Sequence, residues 1–78
     1  DKEMVRLFCE RMDAAQNIAE YKKENGIPVL DASREEKKLR RVAEQSPAEL
    51  QEYTRRLYKL LFELSRDYQR ELIGKERG

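Results

Sequence analysis

The sequence has no histidine and no tryptophan, one cysteine, two prolines and three glycines in 78 residues. Each shortage excludes something. Without histidine the commonest general acid–base group is missing, and so is every Ser-His or Cys-His nucleophile arrangement. One cysteine cannot staple the chain, and no metal-ligand cluster can be assembled from these residues. No apolar run approaches membrane-spanning length and no signal peptide is visible, so no membrane association is expected. A lone reduced thiol suits the cytoplasm, the expected location. Charge of one sign is also lacking. Seventeen basic residues face 16 acidic ones, for a net charge of +1, a balance that argues against a nucleic-acid or membrane-surface binder.

What is there in quantity is charge of both signs. Charged residues make up 42% of the chain and hydrophobic ones only 38%, below the globular norm. The length allows one domain, expected over residues 1–78. A chain this short buries a limited fraction of its surface and needs a disulfide, a metal or a partner chain. With the first two excluded, oligomerisation is the expected help.

Glycine and proline divide the chain into three segments with helical apolar spacing. In the first, Met4, Phe8, Met12, Ala15 and Ile18 or Ala19 recur every three or four residues. Asn25-Gly26 supplies a stop, with Pro28 just beyond. The second segment starts between Asp31, a good cap, and Ser33, which with Glu36 forms a capping box. In the third, "SPAE" reads as a Ser46 cap, Pro47 in the first helical position and Glu49 closing the box. Leu50, Tyr53, Leu57, Leu60 or Leu61, Leu64, Tyr68 and Leu72 then share one side. The spacing predicts an all-α chain with helices over about 2–24, 32–45 and 47–73. Long, short and long, they form a poor solitary bundle, and apolar stripes that outrun their own chain's cover imply an intertwined homodimer. The helical pattern is already running at Met4, so residues upstream of Asp1 are expected.

Several polar residues share a face with these stripes. Arg11 lies three residues after Phe8 and four before Ala15. Lys22 lies eleven after Arg11, close to three turns, and points the same way. Glu35 precedes Leu39 by four, Ser65 follows Leu61 by four, and Gln69 follows Ser65 by four. Taken singly, each has a plainer reading. Arginine and lysine snorkel at a stripe's edge, Glu35 favours a helix dipole, and Ser65 and Gln69 satisfy each other. Taken together, buried charges are costly unless paired. Arg11, Lys22 and Arg34 against Asp31 and Glu35 leave a positive excess. That excess fits a small anionic ligand bearing a hydroxyl or two, with arginine forks on its carboxylates. The remaining charge runs read as solvated faces with i,i+4 pairs, the tyrosines as core or dimer contacts, and Cys9 as a small buried hydrophobe.

Glu10-Arg11, Lys22, Asp31, Arg34-Glu35, Ser65 and Gln69, with the stretch "ERMDAAQNIAEYKKENGIPVLDASREE", resemble in type and spacing the all-helical chorismate mutases, over about Asp1 to Leu72. The resemblance implies an intertwined dimer of three-helix chains and an isomerase. It would rearrange chorismate to prephenate in the shikimate pathway of aromatic amino acid biosynthesis, with no cofactor. It also implies roles. Arg11 binds a carboxylate. Lys22 contacts the ether oxygen and a carboxylate, and Gln69 is the second ether-oxygen donor. Arg34 and Ser65 sit at the ring and its carboxylate, Glu35 accepts the ring hydroxyl, and the backbone of Asp31 meets that hydroxyl. The family carries a further arginine upstream whose match falls before Asp1; Arg6 is too close to Arg11 to be it. A chain truly lacking that arginine is expected to be severely weakened. Fusion to another shikimate-pathway enzyme is common in the family and is expected here as an option. A second reading of the same residues is a non-catalytic module that binds a small acid or regulates a fused enzyme, and a third is a plain dimerisation bundle.

Overall fold

The structure is a computed structural model that describes the backbone of residues 1–77 and the side chains of residues 1–74; Gly78, the last residue of the expected domain, lies outside it. Among the described residues the chain is all-α. Helix α1 spans Lys2–Glu24, α2 Ala32–Glu44 and α3 Gln51–Arg77, with a single 3-10 turn at Ala48–Leu50.

Two units cluster separately. The first comprises Asp1–Val29 with the residues of α3 from Ser65 onward. Asp1 opens α1, its carboxylate accepting from the amides of Glu3 and Met4 at 3.0 and 3.2 Å. This satisfies two of the orphan donors at a helix start. Ala15 and Ala19 are the buried residues of α1, each 2% exposed. Ala19, with Gln16 and Glu20, lines a hollow of about 30 Å³ against Leu72 and Ile73 of α3. On the outer side Arg6 pairs with Glu3 and, at 2.7 Å, with Glu10. Glu3 above all, then Glu10, holds its guanidinium above the usual arginine value.

Helix α1 ends where Asn25-Gly26 predicts. The Gly26 amide donates to Lys23 O at 3.4 Å and the Ile27 amide to Lys22 O at 2.9 Å. This pairing, with Gly26 at φ +64°, is a Schellman stop.

The second unit is Leu30–Leu64. Asp31 caps α2 through the Arg34 amide at 3.0 Å, so the first of the two predicted starts is the one used. Leu39 is the buried residue of α2, and Arg55 of α3 reaches Glu36 of α2 at 3.2 Å.

The "SPAE" reading needs correcting. Ser46 does not cap: its hydroxyl pairs with that of Thr54 at 2.5 Å. Pro47 stays extended at ψ 149°, and the Leu50 amide closes on Pro47 O at 2.9 Å, a 3-10 rather than an α bond. Helix α3 therefore begins four residues later than expected. It also runs on through Gly74 to Arg77. A lone helix glycine costs only about 1 kcal/mol against alanine, too little to end the helix.

The expected apolar stripe of α3 divides, with Leu61, Tyr68 and Leu72 half-buried. Leu50, Tyr53, Leu57, Leu60 and Leu64 are exposed. The covered side is Thr54, Tyr58, Leu61, Ser65, Gln69 and Leu72. Tyr58 and Phe62 meet edge to face, ring centroids 6.2 Å apart. Cys9, expected to be buried, is exposed, as are Met4 and Phe8 of the same stretch of α1.

Because Gly26 sits in the left-handed region, Gly26→Val is expected to cost about 1–2 kcal/mol. Gly26→Asn, tolerated there, is expected to cost less. Urea unfolding at fixed protein concentration measures both.

Candidate functional site

The first unit holds Arg11, Lys22, Ser65 and Gln69; the second holds Asp31, Arg34 and Glu35.

In the first unit, part of the expected α1 stripe is covered: Ala15 and Ala19 are buried, whereas Met4, Phe8 and Ile18 are exposed. Arg11 and Met12 are half-buried while Glu10 and Asp13 are exposed. Lys22 is half-buried between exposed Tyr21 and Lys23. The Lys22 ammonium donates to the main-chain carbonyl of Val29 at 2.7 Å. Its own carbonyl accepts the Ile27 amide. The turn after α1 thus holds this residue at both ends. An open hollow of about 470 Å³ lies beside it, lined by Lys22, Lys23, Val29, Arg70 and Ile73 among others. Its walls carry three cations and no carboxylate, so it favours an anion.

Gln69 is 4% exposed, the buried polar residue among those described. Its Nε2 donates to Ser65 Oγ at 3.0 Å, one helical turn back. Its Oε1 is buried and has no hydrogen-bond partner. Mutual satisfaction of Ser65 and Gln69 therefore accounts for one end of the amide only. Buried amide oxygens are nearly always bonded, so a bare one calls for an explanation.

In the second unit Glu35 is half-buried, and its amide donates to Asp31 O at 3.0 Å. Asp31 and Arg34 are exposed, and the Asp31 carboxylate is engaged as the helix cap. No group of three or more potential metal ligands occurs among the described residues. No described helix is long and apolar enough to cross a membrane.

The family model for chorismate mutase type II matches residues 1–70. The chain belongs to the chorismate mutase type II family. No curated protein and no solved structure matched it. Membership covers α1, the turn, α2 and α3 as far as Arg70, and so includes all seven candidate residues. A chorismate mutase in general is an isomerase, and an all-helical chain suits that family. The Val29 carbonyl was invisible to sequence reasoning. A main-chain acceptor has no residue-type signature, and only the place of Val29, three residues beyond the Gly26 stop, hints at it.

A bare buried carbonyl costs about 1–3 kcal/mol. Gln69→Leu, which removes it at similar volume, is expected to unfold at a denaturant midpoint equal to or above the wild type's. A loss beyond about 1 kcal/mol would show that Oε1 is bonded in solution.

Proposed function

We propose that this chain catalyses the rearrangement of chorismate to prephenate. The match to the chorismate mutase type II family over residues 1–70 carries this reading. The half-paired, buried amide of Gln69 supports it at the place where the family's ether-oxygen donor falls.

The reaction is a concerted intramolecular shift in which one ether C–O bond breaks as one C–C bond forms. It requires no nucleophile and no obligatory proton transfer, which suits a chain without histidine. Catalysis then rests on two physical effects. The enolpyruvyl arm must be held over the ring, the task proposed for Arg11 through a carboxylate. The ether oxygen gains negative charge as it leaves and needs preorganised donors, the task proposed for Lys22 and Gln69. One such donor is typically worth about 2.7–4 kcal/mol. Two approach the roughly 8 kcal/mol of a millionfold acceleration. Ser65 is proposed on the same ligand. On α2, Glu35 is proposed as acceptor for the ring hydroxyl, Arg34 for the ring and its carboxylate, and Asp31 as the turn residue whose backbone meets the hydroxyl.

The partner proposed is a second copy of the chain, in the cytoplasm. Leu50, Tyr53, Leu57, Leu60 and Leu64 alternate at three- and four-residue steps and are exposed, the spacing of a helix–helix seam.

Ultraviolet loss of chorismate, followed with the gene's complete product, tests the activity. Lys22→Ala is expected to lose at least about 100-fold in kcat. No rate above background from a folded wild type would end the proposal, and tight binding of a bicyclic dicarboxylate without turnover would favour a non-catalytic binding module. Gln69→Glu is expected to donate only when protonated. Its activity should therefore be highest at acid pH and fall as pH rises through that carboxyl's pKa; a profile unchanged from wild type removes Gln69 from the ether oxygen.

For the seam, Leu57→Lys with Leu60→Lys is expected to convert a dimer to monomer in sedimentation equilibrium. A wild type already monomeric at high concentration would refute the second copy.

A further inference from the structure

The geometry points to the main-chain carbonyl of Val29, set in place by Gly26, as a positioning group for the Lys22 ammonium. This rests on the reading of Lys22 as donor to an ether oxygen.

The ammonium donates to Val29 O at 2.7 Å, across seven residues of sequence, in a part-buried contact. The carbonyl of the same lysine accepts the Ile27 amide at 2.9 Å. Lys22 and Val29 are both half-buried, and both line the open hollow of about 470 Å³. A lysine is a point charge on a flexible four-carbon stem, so where the charge stands depends on what holds its tip. Here a main-chain acceptor holds it, at the wall of that hollow.

Val29 O stands there because the chain reverses at Gly26. That residue is at φ +64°, a region other L residues enter at a cost. Pro28 then fixes its own φ and keeps Ile27 out of the helical region. A Cβ added at Gly26 would meet nothing within 4 Å. A substitution there therefore acts on the path of the backbone and not on packing.

A carbonyl suits this task. It fixes an ammonium without adding a counter-charge that would compete with an oxygen turning negative as its bond breaks. An ammonium carries three N–H donors, so bonds to Val29 O and to a ligand oxygen are compatible. A donor held where charge develops contributes to rate more than to binding.

The test compares wild type with three variants, each checked for folding. They are Gly26→Ala, Gly26→Asn, and a chain with an ester in place of the Val29–Leu30 peptide bond, whose carbonyl is a weaker acceptor. Two readouts are used: chorismate kinetics, and the ¹³Cε order parameter of Lys22 with exposed Lys59 as reference. In the ester chain the Lys22 order parameter is expected to fall towards that of Lys59, and kcat to fall about 5- to 30-fold. Gly26→Ala is expected to do the same. Gly26→Asn, which tolerates positive φ, should stay within about threefold of wild type. In a Lys22→Ala background the ester and Gly26→Ala should each cost less than about twofold more.

An ester chain with wild-type kcat and wild-type order at Lys22 overturns the positioning role. So does a loss of kcat that persists in full when residue 22 is alanine, because the turn would then be structural only. A Lys22 tip as mobile as that of Lys59 in the wild type overturns it as well. A folded wild type without turnover would overturn the catalytic reading by itself. The order parameters, which need no turnover, would still decide whether Val29 O holds the ammonium.

Discussion

A glutamine amide bonded at one end and bare at the other is the constraint on which the rest of this chain turns. Gln69 is almost wholly buried, Ser65 satisfies one end, and Oε1 has nothing. The buried apolar residues among those described are two alanines and one leucine. A protein with so small a core has little margin for a group that costs about 1–3 kcal/mol. Leucine at the same place would remove the cost. A half-paired amide makes physical sense where a ligand completes it, and in the proposed function the ether oxygen of chorismate would be that partner.

The second determinant is the turn after α1. Gly26 at φ +64° allows the chain to reverse, and the Ile27 amide locks onto Lys22 O. That reversal brings Val29 O to 2.7 Å from the Lys22 ammonium. A long flexible side chain thereby loses much of its rotamer freedom, so less entropy would be lost in the ligand-binding role proposed for Lys22. The glycine acts locally: helix stop, turn and ammonium are one device.

How far the sequence disclosed this depended on the kind of signal. Helix α1 and its stop were legible because Asn25-Gly26-x-Pro28 has one cheap backbone solution. Asp31 was legible as a cap for the same reason. Ser46 misled because a hydroxyl has several partners within reach, and Thr54 on α3 won. On α3 the spacing set Ser65 and Gln69 beside Leu61 and Leu72, where they lie, but grouped with them Leu50, Leu57, Leu60 and Leu64, which the single chain leaves exposed. Arg11, Lys22, Glu35 and Gln69 were picked out by shared register with apolar residues, and register is what a helix preserves. The bare end of the amide was not legible at all, since it depends on distances and not on spacing.

These two faces of α3 divide the work. The covered face is unusually polar and so contributes little hydrophobic free energy; the exposed one carries leucines in seam spacing. Each leucine buried against a partner contributes about 1.5–3 kcal/mol. In the proposed dimer, burial of a few such residues would offset the cost of the amide several times over. A chain that kept its leucines on its own covered face would be steadier alone, but would have no place for a buried amide. In the proposed reading, the polar residues that would suit it to a dianion are the ones that leave it short of core, and the leucines on the other face of α3 are where a second copy would make up that shortage.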